Sequence, residues 1–131
     1  MMLTREQATI EHRKMWYCIA REIMRLKEVI DIYDYKREYL HEKGLYHIKN
    51  NCFLCEYCRE EKFYFDFDLC EKCPLDWGYL TNERFYPCEG DFGSDNPKEY
   101  GLWWKCQKAK TWEEQYKLAV EIASLPERKD A

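Results

Sequence analysis

Apolar residues recur at helical spacing through the first 43 positions, from a capping signal at Thr4 to the first glycine, Gly44. Thr4 and Gln7 have the spacing of a capping box, which predicts that a helix begins at Arg5. Gly44 is suited to end that helix. Successive apolar positions up to Tyr33 are separated by three or four residues, which is the a/d pattern of an amphipathic helix, and the pattern continues at Leu40 after an interruption at Arg37. The positions are Trp16, Ile19, Ile23, Leu26, Ile30, Tyr33 and Leu40.

We therefore expect a long N-terminal helix over residues 5–43, about 55–60 Å in length at 1.5 Å per residue. That length exceeds the diameter of a domain of 131 residues. Either the helix bends near residues 31–34 and packs on its own domain, or a second copy covers part of its apolar seam. The second alternative predicts a homo-oligomer that forms through the N-terminal helix.

Two further helices are predicted over residues 97–126. Asn96, Pro97 and Glu99 supply an N-cap, a proline at the first helical position and an acid in the first turn. Thr111 and Glu114 have the capping-box spacing and open the last helix. Its expected buried stripe is Trp112, Tyr116, Ala119, Ile122, Ala123 and Leu125.

Residues 62–68 alternate between phenylalanine and polar side chains, with Phe63, Phe65 and Phe67 on one face. This period of two predicts a strand, half of a small β-hairpin whose turn lies around residues 59–61. The expected fold class is therefore mainly α with a small β-hairpin. We expect a single domain over residues 1–131, with the segment 50–95 between the helices.

Two Cys-x-x-Cys pairs flank the predicted strand, and 14 residues separate them. Such knuckles bring four thiolates to one tetrahedral Zn²⁺, and the hairpin between them suits a zinc-ribbon-like, double-knuckle centre. Cys88 or Cys58 is close enough in sequence to replace one ligand. Cys18 and Cys106 are expected to be buried as small apolar residues. The predicted zinc ligands are Cys52, Cys55, Cys70 and Cys73.

Other uses of these cysteines were weighed against zinc. The N-terminus lacks a signal peptide, and no run approaches the roughly 18 apolar residues of a membrane span. These two features predict a cytoplasmic protein. In such proteins, paired cysteines bind metal more often than they form disulfides. An iron–sulfur cluster is less compatible, since the gap from Cys58 to Cys70 is too long for a ferredoxin run. His47 is the histidine placed to compete for the metal, although a solvated linker histidine is the simpler interpretation.

Catalytic motifs for hydrolysis, phosphate binding and deamination are missing, and a closed shell of four thiolates suits a structural site. We therefore expect no enzyme activity. Asp66, Asp68, Glu71 and Asp76 are better explained as a solvated acidic face that binds a partner than as an acid/base pair.

Charge is concentrated around the predicted metal site. Residues 56–100 contain twelve acidic and five basic side chains, a net charge of -7, whereas both flanks are close to neutral. Such a region repels a phosphate backbone and favours a basic protein surface. The rival function is a zinc-dependent nucleic-acid-binding regulator. It would use basic residues of the first helix, namely Arg13, Arg21, Arg25, Lys36 and Arg37.

The cysteine pattern resembles that of small, cysteine-rich, zinc-binding phage and prophage proteins of largely uncharacterised function. The shared features are both knuckles, Pro74, Leu75 and Trp77 after the second knuckle, and Cys88. An aromatic segment at residues 100–103 and the style of the last helix extend the resemblance over roughly residues 50–126. Cys58 departs from it, because a small residue is usual there, and this leaves the ligand set open.

The resemblance implies phage origin and a bound zinc ion. Together with the acidic centre and an aromatic content of 17%, it leads to one expectation for function. The chain is expected to bind a host or anti-phage defence protein in the bacterial cytoplasm and to inhibit or redirect it.

Overall fold

The structure is a computed structural model that describes residues 4–45, 53, 74–75 and 101–127. These residues form the helices α1 (Arg5–Leu26), α2 (Ile32–Glu42), α3 (Leu102–Gln107) and α4 (Trp112–Ala123). The longest interface is between α1 and α4, with α3 against α4 and α2 folded back onto α1 and α3. The mainly α prediction is thus confirmed. The predicted strand, its hairpin and the zinc-ribbon-like centre lie outside the described residues.

The predicted capping box opens α1. Thr4 Oγ1 accepts a hydrogen bond from the Gln7 backbone N–H, and the Gln7 side chain accepts one from the Thr4 N–H, both at 3.0 Å. From this cap, one face of α1 is buried in the common core, with α4 as its main partner. The buried residues are Ala8, Thr9, His12, Met15, Trp16, Ile19, Ala20 and Ile23.

The prediction of one helix over residues 5–43 was wrong, because the chain leaves the helix after Leu26. Lys27 adopts a left-handed conformation with φ 53°. α2 then begins after Asp31, whose side chain accepts a hydrogen bond from the Asp34 N–H at 3.3 Å. The break, residues 27–31, is called the elbow below. It lies just before the bend that was predicted at residues 31–34.

Two glutamines from the C-terminal helices hold the elbow in place. Gln115 accepts a hydrogen bond from the Ile30 N–H and donates one to the Ile30 carbonyl, both at 2.9 Å. Gln107 accepts from the Ile32 N–H at 2.9 Å and donates to Asp31 Oδ1 at 3.2 Å. A broken helix exposes backbone groups that must find other partners. The C-terminal half of the chain supplies these partners.

Gly44 ends α2 as predicted. Its φ is +70°, its N–H bonds to the His41 carbonyl at 3.1 Å, and the Leu45 N–H bonds to the Leu40 carbonyl at 2.8 Å. These two bonds form a Schellman motif, which requires a left-handed residue after the helix.

The helix that carries Trp103 and Cys106 begins at Leu102, so the predicted start at Pro97 was wrong. Gly101 is its N-cap, and an extended backbone (φ -75°, ψ 173°) separates α3 from the preceding residues. Thr111 caps α4 as predicted, accepting from the Glu114 N–H at 3.2 Å. The predicted stripe of α4 is largely confirmed, with its two aromatic members only half-buried and Gln115 added.

Candidate functional site

The residues of the predicted metal centre lie outside the described part of the chain. Among the residues that the structure describes, no group of three or more His, Cys, Asp or Glu side chains is placed to hold a metal ion. The zinc site and its ligands therefore stay predictions. The same applies to His47 and to the acidic partner-binding face. The undescribed positions are Cys52, Cys55, Cys58, Cys70, Cys73, Cys88, Asp66, Asp68, Glu71 and Asp76.

Neighbours of three predicted ligands are nevertheless buried in the helical core. Phe53, between Cys52 and Cys55, is 1% exposed, and Leu75, two residues after Cys73, is also 1% exposed. Both belong to the same buried cluster as the facing residues of α1 and α4. Each predicted knuckle is thus covalently joined to a side chain that is fixed in one common core.

Pro74 and Leu75 attach at one end of the bundle. Arg5, in the first turn of α1, donates a hydrogen bond to the Pro74 carbonyl at 3.5 Å. Leu75 forms an isolated antiparallel bridge with Glu127, which follows α4. The chain that leaves the second predicted knuckle therefore lies between the start of α1 and the segment after α4.

The two described cysteines differ in their surroundings. Cys106 is fully buried, as predicted, and its Sγ donates to the Gln115 carbonyl at 3.5 Å. Burial raises the pKa of the Cys106 thiol to about 12, an effect that the charge of Lys36 opposes. Cys18 was expected to be buried but is half-buried, and its side chain lines an open groove.

The groove has a volume of about 780 Å³ and lies beside α1, with Tyr35 of α2 and Tyr116 and Val120 of α4 completing its described lining. Burial, followed by the nearby Cys18, raises the pKa of Tyr35 to about 12. The described lining consists of Tyr17, Cys18, Ala20, Arg21, Glu22, Met24, Arg25, Tyr35, Tyr116 and Val120.

Apolar side chains extend beyond the groove along the same helix. Ile10, Tyr17 and Met24 are 43%, 47% and 40% exposed and are spaced by seven residues. That spacing places them in one line on the outer side of α1. The Tyr17 hydroxyl lies 3.2 Å from Ser124 Oγ, which ties the ring to the end of α4.

The basic residues proposed for nucleic-acid binding are mostly engaged within the fold. Arg13 donates to the Ala123 and Leu125 carbonyls, both at 2.8 Å, and so caps the C-terminus of α4. Arg25 pairs with Glu22 and Arg37 with Asp34. Within the described chain, Arg21 is exposed and has no carboxylate partner.

Lys36 is removed from solvent and cannot contact a phosphate backbone. It is only 3% exposed, and its Nζ lies 5.5 Å from the ring centroid of Trp16 and 5.3 Å from that of Trp103. A cation held over aromatic faces is stabilised by their electron density. This role was not predicted from the sequence. The i, i+4 spacing of Lys36 with the buried Ile32 and Leu40 is the signal that indicates it.

Comparisons with protein-family models, with curated proteins and with solved structures find no match to the chain. Of the helices in the described residues, none has the length and apolar character needed to cross a membrane.

Proposed function

We propose that the chain is a phage-encoded zinc-binding protein that acts by binding a protein of the bacterial host. The partner is a host or anti-phage defence factor, which the interaction inhibits or redirects. The observation that carries the proposal is the groove along α1, because it joins exposed apolar side chains to an accessible cation. Zinc has a structural role in this proposal, closing the region between the two knuckles.

The chemistry of the groove selects the kind of partner. Tyr17 and Met24 flank Arg21 at spacings of four and three residues, so the three side chains share one helix face. Arg25 pairs with Glu22, so among the described lining residues Arg21 is the cation without a carboxylate partner. These features fit a partner helix with an apolar face and a carboxylate that pairs with Arg21.

The acidic residues of the central region extend the proposed contact. Asp66, Asp68, Glu71 and Asp76 belong to a segment with a net charge of -7 and would bind a basic surface of the same partner. Charge complementarity of this kind speeds encounter and excludes partners of the wrong sign.

Affinity capture from infected bacterial cells tests the groove. Tagged wild-type protein is compared with Arg21→Glu and with Lys14→Glu, an exposed site on the same helix outside the groove lining. Both changes alter the charge by the same amount, and circular dichroism verifies that each variant folds. We expect recovery of the partner to fall at least tenfold with Arg21→Glu and to stay unchanged with Lys14→Glu. Equal recovery with all three proteins contradicts the role of the groove.

Three further measurements separate the parts of the proposal. Neutralising the four acidic residues should weaken capture, and undiminished capture removes them from the interface. Elemental analysis should find about one zinc per chain and no visible colour. A brown protein indicates an iron–sulfur cluster instead. Salt-sensitive binding to DNA or RNA by the purified protein would favour the nucleic-acid alternative.

A further inference from the structure

Three large apolar side chains are exposed at the elbow. Leu26, Val29 and Tyr33 are 40%, 41% and 51% exposed. Their spacing of three and four residues would place them on one face of an uninterrupted helix. The bend at Lys27 separates them and leaves each in contact with water. The sequence thus carries a continuous apolar face that the bent conformation does not use.

Neither glycine nor proline imposes the bend, and the local signal beside it is the Asp31 cap that opens α2. Residues 5–43 contain neither glycine nor proline, and Lys27 and Glu28 favour helix. Lys27 nevertheless adopts φ 53°, a conformation that residues with a Cβ atom reach only at a cost. The bent form depends instead on Gln107 and Gln115, which bind the backbone of Ile30 inside the elbow and of Ile32 just after it.

We propose that the elbow straightens when two copies of the chain exchange α1, which produces a domain-swapped dimer. Residues 5–42 then form one helix of about 57 Å. The α1 of each copy packs on the α4 of the other and keeps its native contacts. The second copy also covers the apolar residues of the elbow. Short hinges that hold strained residues favour such exchange. This proposal does not depend on the host partner proposed above.

The order of charged residues beside the elbow favours pairing with a second copy of the chain that runs in the opposite direction. Along the chain they run Glu22, Arg25, Asp34 and Arg37, with the local pairs Arg25–Glu22 and Arg37–Asp34 in the bent form. Two straight helices can cross antiparallel with the two-fold axis between residues 29 and 30. Glu22 then lies level with Arg37 of the other copy, and Arg25 lies level with its Asp34.

In this register, Glu22 faces Arg37 of the second copy, and both share the helix face of Leu26 and Tyr33. Arg25 and Asp34 are nine residues apart, lie on opposite sides of a straight helix and do not pair across the contact. The same register places Leu26 opposite Tyr33 of the second copy, so the apolar residues also meet. One like-charged pair remains, Glu28 opposite Asp31, beside Lys27. The balance favours the antiparallel pairing of two identical chains.

The test measures the dimer of the full-length, zinc-loaded protein by size-exclusion chromatography with light scattering. Proteins are refolded over a range of concentrations. Lys27→Ala favours the straight helix and Lys27→Gly favours the bend, because glycine accepts positive φ. Each dimer contains two elbows, so the effect on the dimerisation constant is squared. We expect the constant to be at least tenfold higher for Lys27→Ala than for Lys27→Gly.

The site of contact is tested with a matched pair of charge substitutions. Val29→Lys introduces a lysine at the elbow and should lower the dimerisation constant at least tenfold. Ile10→Lys introduces a lysine at a similarly exposed position on α1, away from the elbow, and should leave the dimerisation constant unchanged. Loss of the dimer with Ile10→Lys alone places the interface on the outer line of α1 and overturns the proposal.

Exchange of helices is distinguished from surface association by mixing two differently tagged proteins. Chains refolded together should form mixed dimers, whereas dimers mixed after folding should not exchange over minutes, because α1 must first leave α4. Rapid mixing of folded dimers overturns the swap. Identical distributions for Lys27→Ala and Lys27→Gly overturn it as well, as does a monomer in both variants at every concentration.

Discussion

Gln115 of α4 binds the backbone of Ile30 in the elbow through both polar atoms of its side-chain amide, Oε1 and Nε2. The two hydrogen bonds are 2.9 Å long, and a third joins Gln115 to the Cys106 carbonyl at 3.1 Å. The side chain is fully buried. A single side chain of the last helix, α4, therefore fixes the backbone of a connection that lies 85 positions earlier in the sequence.

Gln115→Met removes these bonds at similar side-chain volume. We expect it to lower the free energy of unfolding by about 2–4 kcal/mol, because three buried backbone groups lose their partner. Urea unfolding followed by circular dichroism measures the loss. Gln107→Met is the control. Gln107 is only half-buried, so water can replace its bonds, and the expected loss is about 1 kcal/mol. Equal losses contradict the central role of Gln115.

Lys27 and Gly44 are the described residues with positive φ, at 53° and 70°. Lys27→Gly should stabilise the monomer by roughly 0.5–1 kcal/mol through relief of backbone strain. Gly44→Ala should destabilise it by about 1 kcal/mol, since no atom lies within 4 Å of the added Cβ and only strain remains. Urea unfolding at low protein concentration measures both. Shifts of the same sign would be incompatible with this account.

Lys36 and Trp103 should be energetically coupled. A double-mutant cycle with Lys36→Met and Trp103→Leu isolates the interaction of the cation with the ring. We expect a coupling free energy of about 1–2 kcal/mol, because the pair is shielded from water. Lys108 lies 4.9 Å from the Trp104 ring centroid but is exposed. A matched double-mutant cycle for Lys108 and Trp104 should give a coupling of about 0.5 kcal/mol. A coupling there as large as that of Lys36 and Trp103 would show that the distance from cation to ring, and not burial, sets its strength.

Cys106 predicts a loss of stability in alkali. Its thiol pKa is raised from 9.0 to about 12 in the fold, so the neutral thiol is favoured there. The resulting stabilisation is complete below pH 9.0, the unfolded value, and disappears as the pH rises toward about 12. Wild type should therefore lose more stability than Cys106→Ala over this interval. Tyr35 is present in both proteins, so its titration affects both stabilities equally. If the free energy of unfolding falls in parallel with pH in the two proteins, Cys106 does not contribute to the loss.

Metal removal tests the link between the predicted zinc site and the helices. Phe53 and Leu75 join the knuckles to the helical core, so chelation should lower the thermal midpoint of the helical signal by several degrees. Phe53→Ala in the presence of zinc should cost about 3–4 kcal/mol, as expected for a large buried side chain. A zinc-loaded protein whose helical midpoint does not respond to chelation would show that the two parts are uncoupled.

Local signals were predictable from the sequence where they act within a few residues. The Thr4–Gln7 capping box, the Thr111 cap and the left-handed Gly44 all depend on neighbouring backbone groups, and the structure confirms them. The buried face of α4 followed from its periodicity. Cys106 was predicted to be buried because a free cysteine behaves as a small apolar residue, and the structure confirms it.

The elbow could not be read from its own residues. Its conformation depends on Gln107 and Gln115, and no local pattern in residues 27–31 reports a partner 75–85 positions away. Arg13 and Lys36 were misassigned for a related reason. A long basic side chain at a half-buried position can extend into the fold as readily as into solvent. The predicted metal ligands lie outside the described residues, so their assignment rests on spacing alone.

The direct packing of α1 on α4 has a consequence during synthesis. A ribosome produces α1 first, but the helix that covers its apolar face follows about 100 residues later, which at 5–20 residues per second takes roughly 5–20 s. Through that interval Trp16, Ile19 and Ile23 lack their native partner on the nascent chain. We expect this segment to be bound by a chaperone at the ribosome until α4 has emerged.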